Sequence, residues 1–175
     1  MYEAPPSAVI ATLALRGGAR CQLVAIDAAL PESELLALAH QIAAMEPWCR
    51  YPTYTVQQLA RYLATGSART PRLLIRDGST PMGVAGLVHG WLRGPYVQTL
   101  AVLPAHQGRG VGAAVLGWLE GEARAAGERN LFVLASDFNT RALAFYERCG
   151  FARVVALEDL VADGFTEVLL RKRIA

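Results

Sequence analysis

Gly108, Gly110 and Gly112 alternate in the stretch HQGRGVGAAVLGWLE, residues 106–120. An apolar run at 97–103 precedes them and a helix-like pattern follows. Backbone without Cβ at three alternating positions lets N–H groups converge on one concavity. A helix N-terminus behind the loop adds roughly half a positive charge. Together these favour a pyrophosphate; a plain tight turn before a helix would leave the bare backbone unexplained. Gly108, Gly110 and Ala113 also satisfy GxGxxA, the dinucleotide pattern, with Asp137 near the place of a ribose-binding acid. That pattern is weak alone, and its strand should open a parallel βαβ unit, whereas here it closes a meander. No GK[ST] follows, which excludes a nucleoside-triphosphatase loop.

The elements that must position this loop can be traced along the chain. Residues through Ser7 read as loose. Val9 to Leu15 and Arg20 to Ile26 read as short strands around the turn RGGA. Leu35, Leu38, Ala39 and Ile42 share one helix face, with Pro31 in the first turn and Pro47 beyond the end. The aromatic loop EPWCRYPTY follows, then a short helix with Thr55 as N-cap and Gly66 at its end. Arg72–Arg76, Met82–Trp91 and Tyr96–Leu103 form three strands joined by short turns, an antiparallel meander. Val115, Leu119 and Ala123 mark the helix after the glycines. Leu131–Ser136 is a strand. Ala142, Phe145, Tyr146 and Cys149 fall at i, i+3, i+4, i+7, and Gly150 suits the C′ position. Phe151–Leu157 and Thr166–Arg171 close the chain as a hairpin. This pattern predicts one mixed α/β (α+β) domain over residues 1–175 with an extra N-terminal strand at 9–15.

Composition agrees: 175 residues, 53% hydrophobic and 18% charged, leave ample material for one core. The net charge of +2 is too mild for a nucleic-acid partner. Cys21, Cys49 and Cys149 are far apart and form no CxxC, so neither a disulfide framework nor a metal site is expected. No segment has a signal peptide's layout or membrane length, so the expectation is a cytoplasmic chain with no membrane partner.

Gln107-Gly108-Arg109-Gly110-Val111-Gly112 matches Q-x-x-G-x-G, Leu100-Ala101-Val102 matches "LAV", and NTRALAFYERCGF at 139–151 matches N-x-x-A-x-x-x-Y-x-x-x-G-F. In that order and at those separations the segments resemble the GCN5-related N-acetyltransferase (GNAT) superfamily, well over Arg72–Arg173 and in layout only before that. The resemblance implies a mostly antiparallel mixed sheet flanked by helices, its fourth strand splayed to admit acetyl-CoA as cosubstrate. It implies that amides of Gln107 to Gly112 hold the pyrophosphate. Arg109 either adds a charge-assisted contact or is a solvated loop arginine. It places the pantetheine arm along Leu100, Ala101 and Val102, with an N–H at Leu100 or Val102 facing the thioester carbonyl. Asn139, Ala142 and Phe145 border the cofactor; Asn139 equally suits a helix N-cap. Tyr146 takes the general acid's position beside the sulfur; the plainer alternative is a core tyrosine.

Many relatives carry a glutamate on the fourth strand, and Tyr96 to Val102 holds no carboxylate. Strand alternation puts Tyr96, Gln98, Leu100 and Val102 on one face, so Tyr96 and Gln98 stand in its place. Glu46 or His89 could serve a water chain; His106 is a poorer candidate, and the base stays unassigned. Trp48, Tyr51 and Tyr54 either pack an amine acceptor (small molecule, amino acid or protein amine) or pin the loop to the core. The C-terminal hairpin is a further pocket wall or a homodimer edge. Two functions follow: direct acetyl transfer from acetyl-CoA to a primary amine, or a non-catalytic acyl-CoA sensor.

Overall fold

The computed structural model describes residues 8–174; the expectation of a loose stretch through Ser7 falls outside them. Eight strands form one sheet in the order β1-β2-β3-β4-β5-β6-β8-β7. The strands are β1 (Val9–Ala14), β2 (Arg20–Ala25), β3 (Arg72–Asp77), β4 (Thr80–Trp91), β5 (Gly94–Val102), β6 (Asn130–Ser136), β7 (Ala152–Glu158) and β8 (Thr166–Arg173). All neighbours are antiparallel except β5 and β6. The strand expected at 9–15 is present as β1, at Val9–Ala14, so the strand expected to splay as the fourth is β5.

Four helices cover the sheet: α1 (Glu32–Ala43), α2 (Val56–Ala64), α3 (Val111–Ala125) and α4 (Thr140–Arg148). Each starts where the local chemistry allows. Pro31 precedes α1, and Glu32 and Glu34 sit in its first turn, where acidic groups meet the positive helix end. Thr55 and Gln58 cap α2 reciprocally: Gln58 N–H donates to Thr55 Oγ1 at 3.2 Å, and Thr55 N–H to Gln58 Oε1 at 2.9 Å.

The two faces bury separate cores. Leu38, Ile42, Leu59 and Leu63 of α1 and α2 pack with Leu74, Val84, Ala101 and Leu103. Val115, Leu119, Leu143 and Tyr146 of α3 and α4 pack with Leu23, Val97, Val133 and Leu170. Strand alternation feeds both layers, as in β3, where Leu73 and Ile75 join the α3–α4 core and Leu74 the α1–α2 core. One consequence is that Glu167, between Thr166 and Val168, points away from α3 and α4.

β5 carries a β-bulge. Gly86 pairs with Thr99 and Leu87 with Val97, leaving Gln98 without a partner on β4. The extra residue resets the alternation. Val97 lies in the α3–α4 core before it, and Leu100 and Val102 pack on that core after it. Tyr96, Thr99 and Ala101 therefore face the α1–α2 side. This corrects the expectation that Tyr96, Gln98, Leu100 and Val102 share one face.

Candidate functional site

β5 and β6 pair only at Tyr96–Phe132 and Val97–Val133, then part. Beyond that point β5 has an open edge. Leu103 N–H donates to Met82 O at 2.8 Å on the β4 side, and successive N–H groups along a strand point to opposite edges. The N–H groups of Leu100 and Val102 therefore face the gap. Gln107 Nε2 donates to Val102 O at 2.9 Å, tying the glycine loop to the same edge.

The loop enters α3 through Gly110, whose φ of +87° only glycine adopts without strain. Gly108 is also left-handed, at +75°. The first α3 amide with a carbonyl partner in the helical ladder is that of Ala114, which donates to O of the N-cap residue Gly110 at 2.9 Å. The amides of Val111, Gly112 and Ala113 thus form the free positive end of α3. Gly112 has a different purpose from the other two: it lies inside the helix, and a Cβ there would come 3.0 Å from Cζ of Phe145.

A cleft of about 1060 Å³ runs along this edge and through the sheet. Its wall on the α3–α4 side includes Leu100, Val102, Gln107, Gly108 and Gly110. Val111, Gly112, Asn139, Ala142, Phe145 and Tyr146 continue it. Two expected residues stand elsewhere. Ala101 is buried among α1 and α2 residues. Arg109 lies outside the cleft wall, with its guanidinium 3.3 Å from Nδ1 of His106. Three arginines that sequence reasoning passed over, Arg16, Arg141 and Arg148, line the cleft. Arg16 comes from the β1–β2 turn and packs against Gly110. These cations, the free amides and the open edge fit a cofactor with a phosphorylated head and an amide-bearing arm.

Asn139 caps α4, accepting from Ala142 N–H at 3.1 Å. The Tyr146 ring packs between Phe145 and Phe151, at 5.1 and 5.7 Å between centroids. Burial pushes its hydroxyl far above the ordinary phenol value, with Tyr96 adding to the shift. Such a phenol stays protonated and can donate.

The opposite wall holds Glu46, Trp48, Tyr51 and Tyr54 from the segment joining α1 to α2. Tyr51 is buried, in contact with Phe165 at 4.6 Å and edge-on to Tyr54 at 5.6 Å. Its hydroxyl donates to Glu167 and lies 2.7 Å from Ser136 Oγ. Glu167 lines the cleft at 5% exposure. Burial pushes its carboxyl above the ordinary carboxylate range, against the downward pull of the Tyr51 and Ser136 hydrogen bonds. Of the groups considered for a water chain, Glu46 lines the cleft but pairs with Arg50 at 2.7 Å. His89 is exposed and stands apart from the cleft.

The profile described as the acetyltransferase (GNAT) family matches residues 34–151. An acetyltransferase of Agrobacterium fabrum is 36% identical over 98 residues, which are 55% of this chain and 67% of that protein. Among solved structures, the GNAT domain of the S. lividans protein PAT superposes with a TM-score of 0.71 at 19% identity, covering 93% of this chain and 96% of its own. The ribosomal-protein-S18-alanine N-acetyltransferase of Escherichia coli gives 0.67 at 18%, covering 89% and 94%. At these identities the structures attest the fold.

Proposed function

This chain belongs to the acetyltransferase (GNAT) family and is an acyltransferase, and from that premise we propose that it moves an acetyl group from acetyl-CoA to a primary amine by direct attack. The observation that carries this is the parting of β5 from β6 beside the uncapped start of α3. It sets an open strand edge next to an anion site, with Tyr146 on the same cleft.

The amides of Val111 to Ala113 and the guanidinium of Arg16 hold phosphate oxygens. The open edge of β5 pairs with the amide-bearing arm. Bound there, acetyl-CoA supplies an activated acyl group as a thioester. An N–H of Leu100 or Val102 donates to the thioester oxygen, where negative charge develops; a single donor of that kind contributes about 2.7–4 kcal/mol. Tyr146 donates its proton to the departing sulfur. The amine enters from the α1–α2 side, past Tyr51 and Tyr54.

Incubation with acetyl-CoA and a panel of amines, read as thiol release, tests this. Turnover with at least one amine is expected. Coenzyme A binding without turnover on any amine would replace this reading with that of an acyl-CoA sensor.

A further inference from the structure

The charges of the cleft are sorted by side. Arg16, Arg141 and Arg148 stand with α3 and α4, and the two carboxylates that line it among the described residues are Glu46 and Glu167. Glu46 is spent on Arg50 in a half-exposed pair. Among the described residues no cation pairs with Glu167: its hydrogen bonds come from the hydroxyls of Tyr51 and Ser136. The groups facing it are Tyr51 and Tyr54 from the α1–α2 segment, Ser136 and Asp137 from the end of β6, and Tyr96 from β5. None is basic. A carboxylate at 5% exposure, held by neutral donors and open to a reaction cleft, is an unmatched charge. A positively charged ligand atom would match it.

Resting on the acetyltransferase reading above, we infer that Glu167 takes the proton from the acceptor's ammonium group, and that the acceptor is a primary amine with no carboxylate beside the reacting nitrogen. One N–H bond of the ammonium breaks and its proton passes to a Glu167 oxygen. The freed lone pair forms the C–N bond to the thioester carbonyl carbon as the C–S bond breaks. Tyr146 gives its proton to the sulfur and regains one from the nitrogen. The products are an N-acetyl amide, a free thiol and one proton on Glu167, which leaves to solvent. A free α-amino acid would bring a second carboxylate close to Glu167, with no cation on that side to offset it.

The substrate class is read by comparing alaninamide with alanine, each rate expressed per free amine. Wild-type protein accepts alaninamide at least ~10-fold better, and the preference shrinks in Glu167→Gln. That variant keeps its coenzyme A dissociation constant by calorimetry within about twofold. It loses at least ~10²-fold in kcat/KM at neutral pH, as expected for a positioned base, and the loss narrows as pH rises and free amine becomes abundant. Tyr51→Phe keeps the ring, removes a hydrogen bond that favours the ionised carboxylate, and moves the acid limb of the kcat/KM profile upward. An active wild type with unchanged kcat/KM in Glu167→Gln overturns the proton role. Equal use of alanine overturns the substrate class. If Glu167→Gln does not fold, an unmoved acid limb in Tyr51→Phe overturns the proton role instead. A wild type that binds coenzyme A and acetylates no amine fails earlier, at the acetyltransferase reading itself.

Discussion

Phe145 of α4 fills the space a side chain would need at Gly112 of α3: a Cβ on Gly112 would lie 3.0 Å from its Cζ. The two helices that border this side of the cleft are thus set against each other by one glycine and one ring. Gly112→Ala gains about 1 kcal/mol of helix propensity and loses about 1–3 kcal/mol to overpacking. Its ring neighbour Tyr146 moves with Phe145. The expected outcome is several-fold weaker coenzyme A binding. Phe145→Leu in the same chain restores most of it, with a coupling of about 1 kcal/mol in the double-mutant cycle. Calorimetry on the four proteins measures this, and strictly additive losses would refute the contact as the cause.

Tyr146 lines the cleft, yet it also belongs to the α3–α4 core. A core role and a proton-donor role make different demands on Tyr146→Phe. Phenylalanine preserves the ring packing against Phe145 and Phe151, so the thermal midpoint should stay within about 2 °C, the size of a small surface change. If the hydroxyl donates to the leaving sulfur, kcat falls ~10²–10⁴-fold while KM for acetyl-CoA changes little. Steady-state kinetics beside a melting curve decide between them: an unchanged kcat leaves Tyr146 as a core residue only.

The parts of the site legible in the sequence are the local ones. The helix after the glycines, the cap at Asn139 and the face holding Ala142 and Tyr146 are written in spacings of a few residues, which the backbone turns directly into neighbours. Three features needed the folded chain. The bulge at Gln98 carries no glycine or proline signal in VQTLAV, so alternation counted across it misplaced Tyr96 relative to Leu100. Glu167 and Tyr51 are 116 residues apart, and their contact depends on β8 lying beside β6. Strand alternation in TEVLLRKR could set Glu167 apart from Val168 and Leu170, but nothing local says what it faces. Arg16 was hidden in the same way, in a turn that reads as solvent until β1 folds against the loop at Gly110.

Two glutamates should tilt the stability curve in opposite directions. Glu120 of α3 accepts from Lys172 Nζ of β8 at 2.6 Å and from Arg124 at 2.8 Å. The Lys172 hydrogen bond leads in holding its carboxyl below the ordinary value. Folding therefore releases its proton more readily than the unfolded chain does. Its contribution is present above the unfolded carboxylate value and is lost as pH falls through the folded one. Glu167 is the reverse case, because burial raises its carboxyl when the chain folds. Its contribution is complete below the unfolded value and is lost as pH rises through the folded one. Urea unfolding of Glu120→Gln and Glu167→Gln against wild type, from about pH 4 to about pH 7, separates the two signs. As pH rises, the difference should move in favour of wild type over Glu120→Gln and in favour of Glu167→Gln over wild type. Parallel curves for Glu167→Gln and wild type would mean that its carboxyl titrates alike in the folded and unfolded chains, and that the cleft does not hold it out of water.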